Sequence, residues 1–268
     1  MTSSVAERLQ RSALVRPPDF SLSSNRYSVA ASALGMVAAR LSGHSWPRAL
    51  GVGAAGLLAW SAARELDPDH PDTANGALPL ASLAALVGGG PGLLAGLAVT
   101  SGLRVLAATV GARPGSLDVA ALAGQAALSG LLGERTAALV PRAGLALSST
   151  RPDGWEVTGR EAGLVAAAAL VPAVWPGHGR GAVADLLVLA ALGTAGVLTA
   201  PEGVTSPTDR GNAQISAERV RLTRLLALGT LGVGLLARET HSLAPLASAV
   251  LAVGLRRRLG RAGPGRPT

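Results

Sequence analysis

The chain has 268 residues, 49% hydrophobic and 15% charged, against about 25% charged in ordinary soluble domains. All 24 basic residues are arginine and the net charge is +8, but only 2% of residues are aromatic. That leaves too few stacking rings for a nucleic-acid binder. With no cysteine, disulfides, thiolate metal sites and cysteine nucleophiles are excluded.

Residues 1–26 are polar and lack an apolar core followed by a small-residue cleavage site, so they read as a retained, flexible cytosolic tail. The first expected span covers 27–43 and the second 49–63. The second, ALGVGAAGLLAWSAA, has one serine and no polar face, whereas a soluble amphipathic helix repeats polar residues every three or four positions. Residues 77–103 are uncharged but interrupted by Gly88-Gly89-Gly90-Pro91-Gly92, a sequence that breaks helices. The piece before the break is short of the roughly 20 residues needed to cross a bilayer. It reads as a broken or re-entrant segment near 77–92, with a full span over 91–110. Further spans are expected over 117–132, 161–175, 181–200, 222–236 and 242–255. The fold class is therefore all-α: a polytopic transmembrane helix bundle of about eight spans over 27–255, ending in a basic tail, 256–268.

Charge orients this arrangement. Eight crossings put Arg8, Arg11, Arg16, Arg26, Arg64, Arg135, Arg142, Arg151, Arg160, Arg210, Arg219, Arg221, Arg224 and the arginines from Arg256 onward on one side. Arg40, Arg48, Arg104, Arg113, Arg180 and Arg238 fall elsewhere. The positive-inside rule makes the first side cytoplasmic, which places both termini in the cytoplasm of a multi-pass cell-membrane protein. A ninth crossing through 77–87 would separate the termini and weaken the asymmetry. Trp46, Trp60 and Trp175 sit at span ends, where indoles favour the interface. Small residues recur at spacing four in Gly92/Gly96, Ala55/Ala59, Ala191/Ala195 and Thr230/Gly234. Such faces suit close helix packing or self-association.

The densest polar cluster runs Arg64-Glu65-Leu66-Asp67-Pro68-Asp69-His70-Pro71-Asp72. Asp67, Asp69 and Asp72 are candidate ligands for Mg²⁺, which takes one or two carboxylates and completes its shell with water and phosphate. A solvated turn is the alternative, since Asp and Pro are turn residues. Residues 64–79 resemble the aspartate-rich loop after the second span of UbiA-type membrane prenyltransferases. The likeness covers about sixteen residues. Aligning the family's last aspartate with Asp67 puts Ala63, Trp60 and Ala59 where the resemblance implies metal ligands.

A second polar island, 202–212, is followed by Glu218, Arg219, Arg221 and Arg224. Arg219 and Arg224 are candidate phosphate-binding residues, since the forked guanidinium matches phosphate geometry; serving only to set topology is the competing role. Inside the expected spans stand Arg104 and Asp185, with Asp118 and Gln125 nearer a span start. Arg104 and Asp185 are candidate substrate-contacting charges and a candidate pair. His44, His178 and His241 fall on three separate hairpin tips without ligand spacing. No phosphate loop, nucleophile elbow or HExxH motif occurs.

Three functions fit these features. The first is a membrane-embedded enzyme that holds a phosphate-bearing, lipid-linked substrate at a cytosolic Asp/Arg site, with Mg²⁺. The second is a small-solute transporter using the broken segment, and the third is a non-catalytic scaffold using the small-residue faces. The expected partners are the lipid bilayer, a lipid-linked or phosphorylated substrate and a second copy of the chain, with no nucleic acid.

Overall fold

The computed structural model describes residues 11–16, 19–90, 92–151, 158–211 and 213–262. Among them the protein is helical without a strand; an isolated bridge joins Pro207 and Gln214. In chain order the helices are α1 Ser23–Leu41, α2 Trp46–Leu66, α3 Thr73–Gly88, α4 Leu93–Ala107, α5 Ser116–Leu131 and α6 Arg135–Ser149. There follow α7 Gly159–Ala169, α8 Ala182–Leu192, the short α9 Ala195–Leu198, α10 Ala217–Ala237 and α11 Ala244–Ala262, the last preceded by a 3₁₀ turn, His241–Leu243.

Local chemistry sets many of the ends. Pro47 opens α2, where its missing N–H costs nothing. Asp118 accepts from the Gly115 amide (2.9 Å) and caps α5. Thr158 and Glu161 form a reciprocal capping box at the start of α7. Ala108 and Arg238 take left-handed φ of 56° and 62° and stop α4 and α10.

Short links make neighbouring helices antiparallel, so the bundle has two ends. At one end the start of α1 meets the end of α2 and the start of α3, where Ser24 Oγ donates to Asn75 Oδ1 (2.9 Å) and Trp60 Nε1 to Ser24 Oγ (3.3 Å). The residues after α4 lie there too, with Asp209 N donating to the Thr109 carbonyl (2.9 Å). So do the end of α6 and the start of α10, joined by Arg219 and Ser148 (3.0 Å). At the opposite end Arg48 Nη2 donates to the Leu86 carbonyl (3.1 Å) and Thr136 N to Glu239 (2.7 Å).

This path differs from the expected one at two places. Residues 73–88 form one continuous helix, α3, that runs the length of the bundle, and Pro79 lies within it. The proline removes one backbone donor in the second turn without ending the helix. The glycines that were expected to break a span instead make the turn from α3 to α4, where Gly89 adopts φ 103°. Secondly, the expected arginine-rich loop at 135–149 is α6. Its buried positions, Thr136, Ala137, Ala138, Val140, Pro141, Gly144, Leu145 and Ser148, recur at helical spacing. Two helices are added to the expected eight, so direction is preserved at both ends of the chain. Arg104 and Arg113 join the end that holds Arg64 and Arg224, while Arg135 moves to the other.

Alanine is the commonest buried apolar residue, with Leu and Val packed among it, and many large apolar side chains face outward. The main core takes Ala59, Ala62 and Ala63 of α2, Ala74, Ala77 and Ala81 of α3, Val99 and Leu103 of α4, and Ala247 and Val250 of α11. A second cluster joins α4 to α7 through Val105, Val119, Leu122, Leu145 and Val165. Outside, Leu34, Val87, Leu170, Leu186 and Leu236 stand exposed, Leu236 by 86%. Alanine methyls bury little apolar area each, so cohesion depends on close backbone approach. Gly96 sits under Leu58, and Gly56 under Leu78 and Ser82.

Among the described residues one helix, α10, combines the length and mean hydropathy of a membrane span, with 21 residues and a value of 1.5. Helices α3, α4 and α8 are apolar but shorter. Helix α2 has the length, but it is rich in Ala and Gly and carries Arg48, Arg64 and Glu65. The described parts of the expected tails are held in place: 12–16 lie against α5 and the 209–210 segment, and Arg256 and Arg257 belong to α11. Arg8, Asn212 and Arg266 lie outside the described residues.

Candidate functional site

The acidic cluster after α2 does structural work. Asp67 is buried and takes a two-pronged bond from Arg256, Nε to Oδ2 at 3.0 Å and Nη2 to Oδ1 at 2.7 Å. Thr73 Oγ1 (3.0 Å) and His70 Nδ1 (3.2 Å) complete its shell. Asp69 accepts from the amides of Thr205 (2.9 Å) and Ser206 (2.8 Å) and ties the second polar island to the first. Burial raises the Asp69 pKa, but the bonds from Ser206 and Thr205 outweigh it and leave the carboxyl below its ordinary value. Asp72 is exposed and accepts from Asn75 (3.3 Å). The three aspartates therefore have three separate partners, and among the described residues no group of three His, Asp or Glu is placed to hold a metal. This donor set does not fit a shared Mg²⁺.

The candidate arginines also separate. Arg224 is buried, donating to the Leu66 carbonyl (2.7 Å) and Glu202 (2.9 Å), while Arg256 and Arg257 close on the same glutamate. Arg219 is buried and donates to the Leu106 carbonyl (3.1 Å) and Ser148 Oγ (3.0 Å). These bonds weld α2, α4, α6, α10 and α11 at the arginine-rich end. Asp185 lies at the opposite end with Arg180 (2.9 Å) and Thr240 (2.5 Å). The expected Arg104–Asp185 pair is not formed, because α4 ends where α8 does not begin.

Arg104 pairs instead with Glu65, Nε to Oε1 at 2.7 Å. Glu65 is fully buried and also accepts from Thr109, with Arg16 3.9 Å away. The other two guanidinium nitrogens each make one bond, Nη1 to the Leu14 carbonyl (2.5 Å) and Nη2 to Ser61 Oγ (2.6 Å). Of five guanidinium N–H groups, these bonds use three among the described residues.

Arg104 lines two adjoining cavities on the side of the bundle. The larger, about 670 Å³, lies between α2, α4 and α5; the smaller, about 300 Å³, lies between α1 and α2. Leu57, Ser61 and Arg104 are common to both. The larger has apolar walls of Leu57, Leu58, Leu97 and Leu117 and a polar end of Ser12, Ser61, Arg104 and Asp118. Leu57, Leu97 and Leu117 are exposed, so the wall opens laterally. Residues 12–15 cross the polar end as a strap. Ser12 Oγ and Ala13 N (3.0 Å) donate to Asp118, and Arg210 donates to the carbonyls of Ser12 and Val15, both at 2.8 Å.

Of the four expected substrate residues, only Arg104 reaches this cavity. Its partner Glu65 was hidden within the acidic cluster, and the strap, Ser12-Ala13-Leu14-Val15, carried no signal of its own within the tail. At the far end His178 stacks on His241 (5.5 Å between centroids, 12° between planes) and places Nδ1 2.6 Å from Glu134 Oε1. Two of the three loop histidines therefore converge although their spacing is irregular. The Glu134 hydrogen bond raises the His178 pKa above its ordinary value, against burial.

No protein-family model, curated protein or solved structure matches the chain. The functional reading rests on its own residues.

Proposed function

We propose that the chain is a multi-pass cell-membrane protein, with the arginine-rich end in the cytoplasm, whose lateral cavity binds a phosphate-bearing amphiphile. One observation carries this reading: an apolar wall open to the side of the bundle ends at a guanidinium with unused donors. An acyl or alkyl chain fits the wall, and an anion fits Arg104, whose planar donors favour phosphate over a point contact. The membrane setting draws support from the many exposed leucines and valines, since soluble monomers rarely expose apolar patches larger than a few hundred Å². It also draws on the arginines gathered at one end.

Conversion of that substrate is the proposed activity. The chemistry the residues can supply is charge stabilisation of the phosphate by Arg104 in a site of low dielectric, with the strap excluding water. The transporter reading loses its discontinuous helix, because α3 runs unbroken to Gly88 and Gly89, at φ 103°, turns the chain towards α4. The scaffold reading keeps one feature: among the described residues nothing lies within 4 Å of a methyl placed on Gly229 or Gly232 of α10, which leaves a small-residue stripe for a second copy.

Two measurements test the proposal. Single cysteines at Ser42 and Asp72 should label from opposite faces of oriented vesicles, with Asp72→Cys labelled from the cytosolic face; labelling of both from one face would end the topology. In detergent, dodecyl phosphate should raise the unfolding temperature and dodecyl trimethylammonium should not. Equal effects would remove the anion site.

A further inference from the structure

We infer that the amphiphile carries a second polar group, below its anionic head, and that Gln125 is the residue that reads it. This rests on the cavity reading above. Gln125 lines the larger cavity, and its Oε1 is buried without a hydrogen-bond partner among the described residues. Two polar residues of the same cavity are committed: the Asp118 oxygens accept from Ser12, Ala13 and Gly115, and the Thr100 hydroxyl donates to the Gly96 carbonyl (2.8 Å). A buried polar atom without a partner carries the full cost of its desolvation, so the bare Oε1 here calls for a hydrogen-bond donor.

Position sets the chemistry of that occupant. Asp118 is in the first turn of α5 at the polar end, and Gln125 is two turns farther along, about 10 Å deeper at 1.5 Å per residue. The bare Oε1 is an acceptor and needs a donor, which a hydroxyl supplies; the amide NH₂ can then donate to a neighbouring ester carbonyl, and the group gains nothing from a second charge. The span from a phosphate across a glycerol to an ester carbonyl is of this order. A plain alkyl phosphate would satisfy Arg104 and leave Gln125 bare. The ligand class is therefore an acylated polyol phosphate, held by its phosphate at Arg104 and by its neutral neck at Gln125.

The test uses the full chain in detergent with two probes of equal tail length, dodecyl phosphate and 1-lauroyl-glycerol 3-phosphate. The unaltered protein should bind the acylated probe about tenfold more tightly, the scale of one well-placed neutral hydrogen bond. Gln125→Leu should abolish that preference and leave dodecyl phosphate binding unchanged; Gln125→Met serves the same purpose with a more adaptable side chain. A preference that survives in both variants, or none in the unaltered protein, overturns the role of Gln125. The double variant Arg104→Gln/Glu65→Gln keeps a neutral hydrogen-bonded pair and should lose both probes. Undiminished binding of both in that variant would instead overturn the cavity reading, whatever Gln125 does.

Discussion

Gly102 of α4 and Gly144 of α6 cross backbone to backbone. A methyl group on Gly102 would lie 2.6 Å from the Val140 carbonyl oxygen, and one on Gly144 would strike the Gly102 carbonyl. The contact explains how a helix bearing Arg135 and Arg142 becomes part of the bundle. It also joins the cavity wall, through α4, to the second hydrophobic cluster.

Gly102→Ala and Gly144→Ala should each destabilise the protein by about 1–3 kcal/mol or more, the cost of overpacking against groups that cannot move aside. Thermal unfolding in detergent measures it. Gly229→Ala, where nothing lies within 4 Å, is the control and should leave the midpoint within about a degree or raise it, since alanine is the better helix former. Equal losses at all three positions would contradict the crossing.

Arg104→Ala should cost about 3–5 kcal/mol, because it leaves Glu65 charged and buried without its main partner. Adding Glu65→Gln should recover much of the loss. Arg104→Ala and Asp185→Ala should be additive, since the two sites share no partner. A double-mutant cycle with coupling between Arg104 and Asp185 but none between Arg104 and Glu65 would reverse the assignment.

The far end should respond to pH through His178. Its folded pKa lies above the ordinary 6.5 because Glu134 holds the protonated ring. The stabilisation is therefore complete below pH 6.5 and lost as pH rises through the raised value. The difference in unfolding temperature between the unaltered protein and His178→Gln should be largest in acid and shrink upward through that window. Growth of the difference with rising pH would give the wrong sign.

Asp69 should behave in the opposite sense. Its folded pKa lies below 3.8, so its contribution is complete above that value and lost as pH falls through the lowered one. Asp69→Asn should lower the unfolding temperature at neutral pH, with the difference closing in strong acid. A constant difference down to the lowest workable pH would mean that the 205–206 clamp does not depend on charge.

The strap should control entry to the cavity. Ser101 is a buried lining residue and the chain has no native cysteine, so Ser101→Cys gives one reporter. A polar maleimide should label it severalfold faster when Arg210→Ala removes the two bonds to the carbonyls of Ser12 and Val15. An unchanged rate would show that residues 12–15 do not guard the opening.

Composition and periodicity were enough to establish helices throughout and arginines segregated to one end, because both are written residue by residue along the chain. Helix α2 illustrates this: its run without a polar face and its proline start are local facts. Helices α3 and α6 were misread because their evidence is not local. The Gly-rich run at 88–92 resembles a break until the chain on either side is seen to run antiparallel, and α6 coheres through Gly144 against a helix more than thirty residues earlier.

The site divides the same way. Arg104 stood out because a charge within an apolar helix is costly and needs a partner wherever it falls. Which carboxylate answers it, Glu65 and not Asp185, depends on which helix ends share a face of the bundle. The candidate metal ligands lost their common role for a related reason. Arg256 and the 205–206 amides, each more than a hundred residues away, reached Asp67 and Asp69 first, and proximity between distant segments is created by packing rather than by spacing along the chain.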